Sequence, residues 1–194
     1  MTSGNASLPA YFGAVLFGCA LQLSVSAVTV LAVGESAASA GITPSTALRI
    51  ISAAVFSAPC EEVIFRSGIF KKLRSAAPKN AAVLISSLFF ALCHPSLQAA
   101  VYSFAAGAGF ALMLEKYESI FPPIAAHASF NLFALALPLI RERGTAIAVL
   151  CVCLPAALLL AAILCVPYPR ARQKKSCPTA ADSDKNENET IGDK

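Results

Sequence analysis

The sequence predicts an all-α protein: a polytopic bundle of about six transmembrane helices, followed by a disordered polar C-terminal tail. Hydrophobic residues make up 57% of the chain and charged residues 13%, whereas soluble domains carry about 25% charged residues. Long apolar runs follow one another, each close to the ~20 residues that cross a hydrocarbon core of ~30 Å. Lipid leaves backbone polar groups to be satisfied within the chain, and the runs lack strand-like alternation, so helices are predicted.

The apolar runs are separated by short polar or proline-containing breaks. The first predicted span, residues 8–33, is interrupted only by Gln22 and small hydroxyl residues. Thr43 and Pro44 suit the cap and first turn of a second helix, which is predicted to reach about Phe70 with a kink at Pro59. Four further spans are predicted at residues 80–94, 96–114, 121–140 and 145–166, with a polar loop at residues 115–118.

The distribution of basic residues predicts the topology. With six spans, nine lysines and arginines of the loops and of the first part of the tail lie on one side, and two lie on the other. The nine are Lys71, Lys72, Arg74, Lys79, Lys116, Arg170, Arg172, Lys174 and Lys175, and the two are Arg141 and Arg143. Because cytoplasmic loops carry the excess of positive charge, we expect a multi-pass protein of the cell membrane with both termini in the cytoplasm. The same bias accounts for the net charge of +4, so no nucleic-acid partner is predicted.

The chain divides into two parts by composition. No linker interrupts residues 1–167, which are predicted to form one helical membrane domain with its motifs at residues 44–140. Residues 168–194 are polar, basic at first and then acidic, and this composition predicts a disordered cytoplasmic tail.

Two adjacent carboxylates and an arginine lie inside the second predicted span. A charge at membrane depth costs about 2.5–3.5 kcal/mol on insertion scales, so such residues usually pair or serve function. Glu62 and Arg66 are four residues apart, share a helix face and are in the favourable order for an ion pair. Glu61 points about 100° away and has no partner on its own helix, which makes it the carboxylate whose presence needs a function.

Further polar side chains lie in the later spans. Both histidines of the chain, His94 and His127, fall inside predicted spans, and Asn131 follows His127 by four residues, which places the imidazole and the amide on one helix face. Phe90 lies one turn before His94 and is expected to wall its pocket. Singly, each polar residue is explained as well by an interhelical hydrogen bond worth about 0.6 kcal/mol. Together with the acidic pair they make a set suited to hydrolysis, with a base, a polarising group and oxyanion donors.

These motifs, in this order, resemble one family. Glu61-Glu62-x-x-x-Arg66, Phe90-x-x-x-His94 and His127-x-x-x-Asn131 resemble the CAAX-protease and bacteriocin-processing (CPBP, or Abi) family of intramembrane endopeptidases. The resemblance implies that Glu61 activates water with help from His94, that His127 and Asn131 stabilise the oxyanion, and that Glu62 and Arg66 hold the base. It further implies a mechanism without a metal cofactor, and a peptide or membrane-associated protein substrate, in some members a prenylated one, presented at the lipid bilayer.

Three alternatives remain open from the sequence. Glu61, His94 and His127 offer one carboxylate and two imidazoles, an acceptable zinc set, although no His-Glu-x-x-His helix is present. A non-catalytic immunity or scaffold protein of the same family would keep the fold without the reaction. A small transporter would use buried charges along a solute path, but its polar residues would be expected in both halves of the chain.

Overall fold

The computed structural model describes residues 6–34 and 42–166, and this part of the chain is helical and contains no strand. The predicted all-α class is therefore confirmed. The predicted tail, residues 168–194, lies outside the described residues. Within the described residues we number six helices: α1 (Leu8–Val33), α2 (residues 44–76), α3 (Lys79–Leu92), α4 (Leu97–Tyr117), α5 (Phe121–Phe133), which continues as a 3-10 helix (Ala134–Leu139), and α6 (Arg143–Cys165).

Four helical stretches of the described residues are long and apolar enough to cross a membrane. They are Leu8–Val33, Leu97–Tyr117, Phe121–Leu139 and Arg143–Cys165, and Lys79–Leu92 is a shorter apolar helix. The chain is thus a membrane protein built as a helix bundle. Helix α2 carries the buried charges and is not among these four, so the figure of about six crossings stays a prediction.

Helix α2 is a continuous helix with two wide turns. It begins as predicted, because the Thr43 hydroxyl accepts a hydrogen bond from the backbone N–H of Thr46 at 3.2 Å. Its consecutive segments are Pro44–Ser52 (α), Ala53–Ser57 (π), Ala58–Glu62 (α), Val63–Phe70 (π) and Lys71–Ala76 (α). The first π segment ends two residues before Pro59, and a proline ring crowds the preceding turn of an α-helix. The helix is thus widened into a π turn just before this proline, and the kink expected at Pro59 stays a prediction.

The predicted end of α2 at Phe70 was wrong, because the helix continues to Ala76. It stops where Ala77 takes an extended conformation (φ −139°) before Pro78, as the residue preceding a proline is disfavoured in a helix. Helix α5 tightens after Phe133 into a 3-10 helix that contains Pro138. The stretch Phe121–Leu139 is nevertheless long and apolar enough to cross a membrane, which agrees with the span predicted at residues 121–140.

The predicted loop at residues 115–118 was also wrong in part, because residues 115–117 form the last turn of α4. Two of their polar side chains contact the ends of neighbouring helices, and the helix continues through these residues. Glu115 pairs with Arg74 of α2 at 3.2 Å. Lys116 donates from Nζ to the carbonyls of Ile163 and Val166 at the end of α6, where unpaired carbonyls and the helix dipole favour a cation.

These contacts define one end of the bundle. The ends of α2, α4 and α6 meet there, together with the basic stretch of residues 71–79, and we call this the basic end. Helix α1 packs between α5 and α6, with Phe17 and Met113 in a buried cluster that also contains Leu164. Helices α3 and α4 pack as a pair, and this pair contacts α2 through both helices and α5 through α4. The polar site lies between these two groups of helices.

Candidate active site

The acidic pair lies near the middle of α2, between its two π segments. Such wide turns inside α-helices occur frequently at functional sites. Glu62 and Arg66 are fully buried, and Glu62 Oε2 lies 3.0 Å from Arg66 Nε, so the predicted ion pair is confirmed. The Glu61 side chain is 35% exposed. The two adjacent carboxylates thus occupy different environments, as their positions on the helix predicted.

Arg66 is held by charge and by aromatic rings. Its three guanidinium nitrogens have no hydrogen-bond partner of good geometry among the described residues, but its guanidinium carbon lies 4.9 Å from the centre of the Phe90 ring and 5.7 Å from that of Phe110. Such cation–π contacts gain strength where water is absent. Gly107 makes room for this stack, because a Cβ there would lie 3.1 Å from Phe90 Cδ1.

His127 joins the two carboxylates. Its Nδ1 lies 3.0 Å from Glu62 Oε1 and its Nε2 lies 3.8 Å from Glu61 Oε2. A carboxylate only accepts hydrogen bonds, so Nδ1 carries the hydrogen and Glu62 fixes the orientation of the ring. The ring is buried and stacks on Phe110, with centroids 5.0 Å apart. Glu61 therefore has a partner on another helix, and the spacing of residues within α2 could not predict this contact.

His94 lies in a turn directly after α3. Its Nδ1 is 2.9 Å from the carbonyl oxygen of Phe90, and because a carbonyl only accepts, Nδ1 is the donor. In the neutral ring this leaves Nε2 as an acceptor. The Phe90 ring lies against the rings of both histidines, at centroid distances of 5.0 Å and 5.6 Å. Phe90 therefore walls the His94 pocket, as expected, and contacts His127 as well.

Asn131 lies one helical turn after His127. Its Nδ2 donates to the carbonyl oxygen of Ala53 at 3.3 Å, and Ala53 begins the first π segment of α2. The amide has a second N–H, which this contact leaves available. The π segment thus helps to place the side chain that the third motif contributes.

A cavity of about 420 Å³ connects these residues, within the range of ligand pockets in proteins, about 300–1,000 Å³. Three of the four predicted catalytic residues line it, namely His94, His127 and Asn131, together with Phe90. Glu61 is not among the lining residues and adjoins the cavity through its contact with His127. The inner wall contains buried Phe110, whereas Ser96 and Gln98 at the other end of the cavity are exposed. We call this opening the mouth, and it lies at the end of the bundle opposite the basic end.

The alternative zinc site is not assembled in this arrangement. Among the described residues, no group of three His, Cys, Asp or Glu side chains is close enough to hold a metal ion. In particular Glu61, His94 and His127 do not form one cluster, and the Nδ1 of His127 is engaged by Glu62. These side chains therefore do not fit the three-ligand set considered from the sequence.

Several residues of the site had no signal in the sequence that singled them out. Phe110 and Gly107 belong to an alanine- and glycine-rich run, where small residues indicate only close helix packing. Ala53 takes part through its backbone carbonyl, which no side-chain pattern reveals. Gln22 was visible as a polar residue in an apolar run, but its neighbours across the cavity belong to other helices.

Comparison with known proteins supports the motif assignment. Residues 43–133 match the family described as "Type II CAAX prenyl endopeptidase Rce1-like". A relative from Bacillus subtilis (strain 168), named "Putative membrane peptidase YdiL", is 33% identical over 97 residues. That match covers 50% of this chain and 40% of the relative, so this chain spans less than half the length of the relative it matches. No solved structure matches the chain. By its motifs and by this match, the chain is similar over residues 43–133 to the Rce1-like CAAX-protease family.

Proposed function

We propose that the protein is an intramembrane endopeptidase that hydrolyses a peptide bond with a water molecule activated by Glu61. The observation that carries the proposal is the contact of Glu61 with His127, which lines a cavity inside an apolar bundle together with His94 and Asn131. Burying an ionisable group in a membrane is costly, so such a group is interpreted by default as part of a functional site. The family match over residues 43–133 points to the same reaction class.

The side chains divide the work of hydrolysis between them. Glu61, partly exposed, takes a proton from water, and the resulting hydroxide attacks the carbonyl carbon of the scissile bond. His94 accepts a hydrogen bond from that water at Nε2, the nitrogen left free by the Phe90 carbonyl. The negative charge then develops on the carbonyl oxygen and is stabilised by hydrogen bonds from His127 Nε2 and Asn131 Nδ2. Glu61 returns the proton to the leaving amine as the C–N bond breaks.

The donor role of His127 requires a charged imidazole, because Nδ1 already gives its hydrogen to Glu62. Two carboxylates and two cations then lie together, Glu61 and Glu62 with Arg66 and His127, and their charges cancel. A neutral cluster limits the cost of burying charge in a medium of low dielectric constant. Phe110 stacks on the face of this imidazole ring.

The substrate we propose is a peptide or a membrane-associated protein, with a prenylated protein as the narrower case named by the family description. By the positive-inside rule we place the basic end and both termini in the cytoplasm, so that the mouth beside Ser96 and Gln98 faces the opposite side of the membrane. Cys93 is exposed and lies next to His94, so its accessibility to a thiol reagent reports which side of the membrane the mouth faces. In a variant that keeps only Cys93, a membrane-impermeant thiol reagent should label intact cells, and labelling only after lysis would reverse the orientation.

The proposal is tested with purified protein in lipid vesicles and a library of lipid-anchored peptides whose fluorescence is quenched until cleavage. Glu61→Gln keeps the volume of the side chain and removes the base, and we expect cleavage to fall by at least ~10²-fold, the lower end for loss of general base catalysis. Glu115→Gln is the matched control, since this glutamate lies at the basic end and pairs with Arg74. Wild-type cleavage rates in Glu61→Gln would overturn the assignment.

The absence of a metal in the proposed mechanism needs its own measurement. We propose no cofactor, and zinc is the alternative. Elemental analysis of active protein purified without added metal, followed by assay after chelation, separates the two mechanisms. Stoichiometric zinc, with activity lost to the chelator and restored by zinc, would establish the zinc mechanism. An enzyme that depends on a bound metal loses its activity when the chelator removes that metal.

A further inference from the structure

Helix α1 lies outside the matched residues 43–133, yet it forms one wall of the cavity. Its lining residues are Gln22, Val25, Ser26 and Thr29. Their spacing of three, four and seven residues places them on one face of the helix. Polar side chains thus face the cavity across from His94 and Asn131, on a helix that carries no catalytic motif.

The hydroxyl residues of α1 differ from Gln22 in how they are satisfied. Ser24 donates to the carbonyl of Ala20 at 2.8 Å, and Thr29 donates to that of Val25 at 2.9 Å, so both are paired with their own helix. Gln22 has no such local bond. Its Nε2 donates to Ser26 Oγ at 3.3 Å, and this is the one hydrogen bond that the described residues provide to its side chain.

The remaining polar capacity of Gln22 faces the cavity. An amide side chain has two N–H donors and an oxygen with two acceptor positions, and the bond to Ser26 uses one donor. Gln22 Oε1 has no partner among the described residues, but it is not one of the fully buried unpartnered atoms, which are Glu62 Oε2 and the guanidinium nitrogens of Arg66. The residue is only 8% exposed, so the access that it has is through the cavity. A buried amide with unused hydrogen-bonding groups near the middle of a membrane helix is costly unless something else completes it.

We propose that Gln22 is a substrate-positioning residue that binds the main chain of the peptide next to the scissile bond, with Ser26 fixing its orientation. A peptide group presents one N–H and one C=O, and the side-chain amide of Gln22 presents the matching acceptor and donor. At the mouth, Gln98 of α4 donates to Thr29 Oγ1 at 3.1 Å, which ties α1 to the wall formed by α4. The inference rests on the proposed function, and it adds a contact between α1 and the substrate of the proposed endopeptidase.

The test compares the kinetics of Gln22→Met, which keeps the length of the side chain and removes its polar atoms, with wild type in the peptide assay above. Loss of one neutral hydrogen bond to substrate should raise KM about 3- to 10-fold, with kcat within a factor of about two. Ser26→Ala should shift KM in the same direction by less. Ser24→Ala is the matched control, because Ser24 lies on α1, bonds to its own helix and does not line the cavity.

The outcomes separate the two claims. An unchanged KM in Gln22→Met, with wild type active, would overturn the role of Gln22 and leave the endopeptidase proposal intact. A peptidase that cleaves none of the library would instead overturn the proposed function and the inference with it. If Gln22→Met does not fold, Ser26→Ala decides, and a KM equal to that of Ser24→Ala counts against the inference. Direct binding of the best peptide to Glu61→Gln, with and without Gln22→Met, gives the same comparison without turnover and should show weaker binding in the double variant.

Discussion

Helix α5 meets two neighbours in two different ways. Toward α1 it packs through small residues: Gly18 lies so close that a Cβ there would collide with the Ala126 carbonyl and the Ser129 hydroxyl. Toward α2 it packs through ionisable side chains, because His127 contacts both Glu61 and Glu62. Lipid provides no hydrophobic drive for helices to associate, so one interface depends on close backbone approach. The other depends on pairing of groups that lipid cannot solvate, and the cavity lies between the two.

The largest expected effect comes from breaking the charged interface. Arg66→Ala leaves Glu62 buried without its counter-charge, and removal of one partner of a buried ion pair costs about 3–5 kcal/mol. We expect a lower yield of folded protein and a lower melting temperature. The double variant Glu62→Gln with Arg66→Met removes both charges and should recover part of the lost stability. Equal melting temperatures for the single and double variants would mean that the pair does not stabilise the fold.

The second effect concerns catalysis at the same interface and should be accompanied by only a small loss of stability. Asn131→Ala removes one proposed oxyanion donor, and loss of such a donor lowers kcat about 10²–10³-fold. It also removes the hydrogen bond to the Ala53 carbonyl, a loss worth about 0.5–1.5 kcal/mol. Peptide binding to the variant should stay within a few-fold of wild type. A rise in KM with kcat maintained would instead make Asn131 a binding residue.

The smallest of the three effects comes from the small-residue interface. Gly18→Ala forces α1 and α5 apart, and overpacking of this kind costs about 1–3 kcal/mol. Gly13→Ala on the same helix is the control, because a Cβ added at Gly13 would meet no atom within 4 Å, and alanine there should be neutral or favour the helix. The comparison is made by thermal unfolding in the same detergent. Equal stability of the two variants would show that α1 and α5 are not held by close packing at Gly18.

Much of the fold and part of the site could be predicted from local patterns. The apolar runs predicted the helices, the Thr43–Pro44 start of α2 was correct, and the four-residue spacing predicted the Glu62–Arg66 pair. The end of α2 and the state of residues 115–117 were predicted wrongly. Both errors concern polar residues that pair with other helices, as Glu115 does with Arg74, so the local sequence signals a loop where tertiary contacts extend a helix.

By itself the sequence determined which side chains are the candidates for the chemistry, because charged and polar side chains stand out in an apolar chain and helical periodicity predicts which of them share a face. Glu62 and Arg66 are neighbours through four residues of one helix, and that is a local property. The tertiary structure alone decided that His127 lies between the two carboxylates, that Phe110 stacks on it, and that Gln22 faces the same cavity. These contacts join helices distant in sequence, and their geometry depends on how the helices cross and rotate against each other, which the spacing of residues within one helix does not specify.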